Sequence, residues 1–188
     1  MTLPTIAIIG TGILGLPMAR TGLDACFPVR AWNRSTAKAQ ALSAHGADIA
    51  SSPVQAADGA QVLICMLSDG PTCDAVLFGE DGATRALSPG ALVIVMSSIP
   101  VDTAVEQARL CAERGLRYLD APVSGGECGA REATLAIMVG GETAAFEQGR
   151  EVLSALGRPV HVGPAGTGEL AKLVNQLIVA STIATVAE

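Results

Sequence analysis

Up to Asp120 the chain is a series of short apolar runs, each stopped by glycine, proline or a polar residue. The first is Thr5-Ile-Ala-Ile-Ile9, cut off by Gly10, and others follow at residues 27–32, 48–50, 61–67, 91–96 and 116–119. Gln61-Val-Leu-Ile-Cys-Met-Leu67 is apolar at consecutive positions, as a strand covered on both faces requires. Between the runs, helices are predicted at 13–23, at 37–44 behind the capping pair Ser35-Thr36, and at 53–57, 71–78 and 101–114, the last ended by Gly115. This alternation predicts an α/β fold: a Rossmann-type, doubly wound, mostly parallel sheet with helices on both faces.

After Asp120 the pattern changes. Ala121-Pro-Val-Ser-Gly-Gly126 reads as a loop, 134–139 as a strand, Gly140-Gly141 as a break, 143–156 as a helix and 159–162 as a last short strand. Gly163-Pro-Ala-Gly-Thr-Gly168 then leads into a long C-terminal helix with Leu170, Leu173, Val174, Leu177, Ile178, Ile183 and Val186. A helix apolar over so much of its surface is normally covered on all sides. Residues 1–164 are therefore expected as a cofactor-binding domain. Residues 165–188 are expected to begin an all-α second domain that the chain lacks, or to pair with a second copy in a homo-oligomer. The apolar stretch 173–187 is shorter than a bilayer requires, and no membrane partner is expected.

The first run ends in Gly10-Thr-Gly-Ile-Leu-Gly15, and the next helix follows at once. The spacing G-x-G-x-x-G between a buried strand and a helix is the dinucleotide fingerprint. Gly10 permits the tight turn, Gly12 lets a pyrophosphate approach the backbone, and Gly15 lets the helix pack against the strand. The N–H groups of Thr11, Ile13 and Leu14 complete the phosphate cradle at the helix start. At the end of the second strand a carboxylate would accept from the ribose 2′-hydroxyl of NAD. The chain has Asn33-Arg34-Ser35 there instead. With no carboxylate to repel a 2′-phosphate and an arginine to pair with it, NADP is expected in preference to NAD.

Composition narrows the class. Hydrophobic residues make up 49% and aromatic residues only 3%, so the core is built from Ala, Val, Leu and Ile. A net charge of −6 without a basic run argues against nucleic acid or an anionic membrane surface as partner. Five cysteines, an odd number without C-x-x-C spacing, and two histidines point to free thiols, no metal and a reducing, cytoplasmic location.

Hydride chemistry at a carbonyl needs a proton donor. His45 and His161 are poorly placed, in a surface-type helix and a terminal strand. Lys172 sits in an otherwise apolar helix, where an ammonium is costly without a partner or a task, and Asn175 shares its face. A lysine snorkelling to the surface satisfies the same pattern. Ser124-Gly125-Gly126, beyond a strand's C-terminal end, offers a backbone nest for a carboxylate, or is a plain turn.

Four motifs, Ile9-Gly-Thr-Gly-Ile-Leu-Gly-Leu-Pro-Met-Ala19, Met96-Ser-Ser-Ile99, Asp120-Ala-Pro-Val-Ser-Gly-Gly126 and Gly166-Thr-Gly-Glu-Leu-Ala-Lys-Leu-Val-Asn-Gln176, are spread in this order over nearly the whole chain. In them the sequence resembles the β-hydroxyacid dehydrogenases, a family that includes 3-hydroxyisobutyrate dehydrogenase and tartronate semialdehyde reductase. The resemblance implies an enzyme that interconverts a short semialdehyde acid and its hydroxy acid. It implies Lys172 as general acid/base, and Ser124, Gly125, Gly126, Asn175 and Gln176 around a small carboxylate-bearing substrate. Met66, Leu67 and Ser98 would lie on the nicotinamide side of the cofactor. The related imine reductases share the cofactor half but usually carry Asp or Tyr in place of the lysine, so Lys172 weighs against them. A non-catalytic dinucleotide-binding module is the other alternative. One departure stands out: the family usually has Gly-Thr after the substrate loop, and this chain has Ala133-Thr134.

Overall fold

The computed structural model of the protein describes residues 2–188. Among them nine strands form one sheet: β1 (Ile6–Ile9), β2 (Val29–Trp32), β3 (Asp48–Ile49), β4 (Val62–Cys65), β5 (Leu92–Val95), β6 (Arg117–Asp120), β7 (Val123–Ser124), β8 (Leu135–Gly141) and β9 (Gly157–Gly163). The order is β3-β2-β1-β4-β5-β6-β8-β7, with β9 on β8. The strands from β3 to β6 are mutually parallel, and β8 runs antiparallel to β6 and β7. The chain reverses its direction of travel across the sheet between β1 and β4, and the crevice at such a point is where open α/β sheets bind ligands.

Among the described residues seven α-helices connect the strands, α1 (Gly15–Asp24), α2 (Thr36–Gln40), α3 (Pro53–Ala57), α4 (Gly70–Phe78), α5 (Val101–Glu113), α6 (Gly126–Arg131) and α7 (Thr143–Leu156), and α8 (Thr167–Ala187) follows the last strand. The period-2 alternation of β1 divides the core. Ile6 and Ile8 pack with Met18, Ala19, Phe27 and Phe146 on one face. Ala7 and Ile9 pack with Ala56, Leu77 and Cys73 on the other. Burying each of these larger side chains contributes roughly 1.5–3 kcal/mol.

Several expectations are corrected. The loop expected after Asp120 contains β7, which pairs with Ile137 and Ala136, and Gly126 opens α6. Gly140 and Gly141 do not break β8; they carry it past β6, opposite Asp120 and Leu119. A Cβ on Gly140 would stand 2.6 Å from Asp120 Oδ1, and one on Gly141 2.6 Å from the Leu119 side chain, so glycine marks crowding here. Ser35 occupies the start of α2 without capping it, and the helix ends at Gln40. Ala133 adopts φ +55°, the left-handed region where a glycine would be unstrained, at a cost of roughly 1 kcal/mol.

The long C-terminal helix, α8, spans 21 residues and begins well before Leu173. Its mean hydropathy of 1.5 and its length are enough to cross a membrane, which corrects the expected shortfall; helices of soluble proteins pass the same test, so length assigns nothing here. Only its first turn is buried, at Gly168 and Glu169, while Leu173, Leu177, Ile178, Ile183 and Val186 are exposed. That first turn is tightly seated: a Cβ on Gly168 would lie 2.5 Å from the Met138 carbonyl oxygen and 2.6 Å from that of Asp120. Gly168→Ala is therefore expected to destabilise the fold by about 1–3 kcal/mol through overpacking, read as a lower denaturation midpoint at unchanged slope.

Candidate active site

The parallel strands β1, β2, β4, β5 and β6 end at one edge of the sheet, and nearly every residue singled out in the sequence sits there. Beyond β1, Gly10 takes φ +100°, and a Cβ there would fall on the Met66 carbonyl oxygen. A Cβ on Gly15 would fall on the Gly10 carbonyl, so this glycine lets α1 meet the turn. Gly12 differs: a Cβ there would meet nothing within 4 Å. The open space lies where a pyrophosphate would approach the backbone. Gly12 and Ile13 are exposed, Ile13 by 74%, and Leu14 precedes the first helical residue.

The turn is tied to the end of β2. Asn33 Oδ1 accepts the Thr11 backbone N–H at 3.0 Å, and Asn33 Nδ2 donates to the Ser35 carbonyl at 3.1 Å. Asn33 thus spends its oxygen and one amide hydrogen on holding the turn. Beside it a cavity of about 520 Å³ opens, with Asn33, Arg34, Ser35 and Lys38 on one wall and Leu67, Ser68 and Thr72 on the other. Lys38 was not singled out in the sequence; its signal is the position four residues after Arg34, one turn into the helix that leaves β2. Between the β4 and β5 ends, Ser97 Oγ accepts the Leu67 N–H at 2.7 Å. Ser98 is exposed beside it and Met66 half-buried.

The second half of the site is built on Asp120, the last residue of β6. Its carboxylate is fully buried; Oδ1 accepts the Gly166 N–H at 2.8 Å and Oδ2 the Glu169 N–H at 3.0 Å. Burial raises its pKa, and the N–H groups of Gly166, Glu169 and Gly168 oppose the rise. A carboxylate closing a run of apolar strand residues is the signal that sequence reading left unused, because it demands donors. Here the donors are the free N–H groups opening α8.

Lys172 follows one turn along α8 and is half-buried. Its Nζ donates to Gln176 Oε1 at 2.8 Å, and Asn175 Nδ2 donates to the same oxygen at 3.2 Å. The structure thus brings Lys172, Asn175 and Gln176 together. Ser124, Gly125 and Gly126 lie beyond β6, at φ +132° and +61° for the two glycines, and no hydrogen bond joins them to Lys172 among the described residues. Burial lowers the pKa of Lys172, and Glu169 opposes the fall. Burial pushes Glu169 up to about 8; the charge of Asp120 adds to the rise, while the Ile99 N–H and Lys172 oppose it. His161 is structural: its Nε2 lies 2.8 Å from the Gly141 carbonyl and its ring stacks on Phe146 at 5.0 Å.

Among the described residues two buried side-chain oxygens lack a hydrogen-bond partner, Thr11 Oγ1 and Glu169 Oε1. One lies in the glycine turn and the other beside the lysine. The open approach at Gly12, the unpartnered Thr11 hydroxyl and the cationic wall of Arg34 and Lys38 all fit a dinucleotide.

These features define a dinucleotide-binding α/β domain. Residues 5–165 match the NAD-binding domain of 6-phosphogluconate dehydrogenase. The chain is 40% identical over 185 residues to 2-hydroxy-3-oxopropionate reductase of Escherichia coli, covering 97% of the chain and 63% of that protein. It is 38% identical over 184 residues to 3-hydroxyisobutyrate dehydrogenase of Pseudomonas aeruginosa, covering 97% and 62%. The chain belongs to the β-hydroxyacid dehydrogenase family. A solved Mycobacterium tuberculosis 3-hydroxyisobutyrate dehydrogenase with L-serine superimposes at a TM-score of 0.91, with 36% identity over 95% of the chain and 61% of that structure. An imine reductase from Myxococcus stipitatus with NADP+ superimposes at 0.91, with 27% identity over 98% and 64%. The chain thus spans 61–64% of the length of these relatives.

The Glu169 carboxyl makes stability depend on pH. Its pKa is raised from 4.5 to about 8, so the folded state binds the proton more tightly and stability falls as pH rises across that window. Glu169→Gln removes the effect. Thermal melts at about pH 5 and about pH 9 are expected to show the variant gaining stability over the parent at the higher pH.

Proposed function

We propose that the protein is an NADPH-dependent oxidoreductase that interconverts a short semialdehyde acid and its hydroxy acid, with Lys172 as the general acid/base. The observation that carries this reading is a half-buried amine held beside two amides, one turn beyond a helix start clamped to the strand end by Asp120. Bound NADPH supplies the hydride. The chain's own part is to move a proton and hold a carboxylate. Lys172, as ammonium, gives its proton to the carbonyl oxygen and retakes it in the reverse direction. Burial weakens its grip on that proton, which brings the donor nearer to neutral pH. Gln176 accepts from the amine, and Asn175 with the Ser124, Gly125 and Gly126 backbone is assigned to the substrate carboxylate. Met66, Leu67 and Ser98 are assigned to the nicotinamide side.

The names of the relatives support a small hydroxy acid as substrate. Arg34 and Lys38, with no carboxylate at the end of β2, support NADP over NAD. The uncovered apolar length of α8 supports a homo-oligomer formed through that helix. The unpaired thiols fit a cytoplasmic location.

Two measurements test the reading. Arg34→Ala is expected to weaken NADPH binding by roughly ten- to hundredfold, measured by nicotinamide fluorescence, and NADH binding far less. Equal losses for both cofactors would refute the NADP assignment. Lys172→Ala is expected to lower kcat on tartronate semialdehyde or methylmalonate semialdehyde by about 10²–10⁴-fold while the NADPH Kd stays unchanged. Undiminished turnover would remove the lysine from the mechanism.

A further inference from the structure

The burial of Glu169 leaves half of its carboxyl without a partner: the Ile99 N–H serves the group, and one oxygen is left over. The residue is 1% exposed, its Oε1 lacks a hydrogen-bond partner, and it is the backbone N–H of this residue, not its side chain, that Asp120 holds. A buried carboxyl with one donor and one oxygen left unpartnered is costly when ionised, and an apolar residue would fill the same first turn of α8 without that cost. The titratable groups that act on it are Asp120 and Tyr118 from β6, Cys73 from α4, and Lys172, three positions along its own helix. Of these only Lys172 is a cation. Residues three apart on a helix share a face, with Cβ atoms roughly 5–6 Å apart.

We propose that Glu169 is a positioning residue for Lys172, a buried acid whose change of charge sets the protonation state of the amine one turn further along α8. The consequence for catalysis rests on the role of Lys172 proposed above; the coupling itself does not. While Glu169 is neutral, burial alone governs the amine. Once Glu169 ionises, its negative charge holds the Lys172 proton in place as pH rises. Lys172 therefore stays a proton donor over a wider range than its burial would allow. The coupling is mutual: whatever Glu169 does to the proton affinity of Lys172, Lys172 does in equal measure to that of Glu169.

The sequence makes this directly measurable, because Lys38 and Lys172 are the only two lysines in the chain. Lysine labelled with ¹³C and ¹⁵N gives two side-chain signals, and Lys38 serves as the internal reference. In Glu169→Gln the Lys172 signal is expected to titrate about half a pH unit or more below the parent, with Lys38 unmoved. The reciprocal variant, Lys172→Met with labelled glutamate, is expected to move the Glu169 carboxyl midpoint upward by the same amount, and it decides the matter should Glu169→Gln fail to fold. Midpoints that stay where the parent has them overturn the proposal. Neither titration uses substrate. A shifted Lys172 titration together with full turnover by Lys172→Ala would leave the coupling standing and remove only the catalytic reading. In the active enzyme, the alkaline limb of the kcat profile is expected to move to lower pH in Glu169→Gln with KM for NADPH unchanged. A mere packing role would lower kcat without moving that limb.

Discussion

The arrangement depends on one buried carboxylate, that of Asp120. Taking it out of water is costly unless donors replace the lost hydration, and the N–H groups at the start of α8 provide them. The same bonds fix the helix that carries the lysine to the end of a central strand. Gly140 and Gly168 are needed because nothing larger fits between carboxylate, strand and helix. The position of Lys172 is thus set by a helix-terminus interaction with the sheet, not by contacts of its own. This accounts for a precise placement on a helix whose remaining length has few contacts.

The cofactor half uses the same device with the anion left to come from outside. There the open helix start is left for a ligand's phosphates, and the side chain at the neighbouring strand end, Asn33, spends its oxygen on the turn itself. At one sheet edge the start of α8 is thus closed by the protein's own anion, while the start of α1 is left open. The two unpartnered buried oxygens, Thr11 Oγ1 and Glu169 Oε1, lie at these two places and at no other among the described residues.

Much of this was legible in the sequence. Consecutive apolar residues in β4 and β5 and the glycine spacing after β1 identify the sheet and the turn, because burial on both faces and backbone crowding leave few alternatives. The Lys172 and Asn175 pairing followed from helical periodicity. Less legible was whatever depends on contacts remote in sequence. Asp120 was visible within a motif, but its partners lie more than 40 positions away, and Gly140-Gly141 looked like a break because the crowding that demands glycine comes from β6. Glu169 stands where an ordinary first-turn acid would, and only its burial sets it apart. β7 and α6 are too short for a periodic signal.

The Asn33 tether also separates two tasks at one strand end. Turn geometry and phosphate charge are assigned to adjacent residues, Asn33 and Arg34, with no atom in common. Exchange at Arg34 alters the charge at the cavity wall and leaves the tether of the turn standing. Exchange at Asn33 has no such freedom. Two neighbouring positions at one strand end thus carry different physical constraints, one of turn geometry and one of charge at the cavity wall.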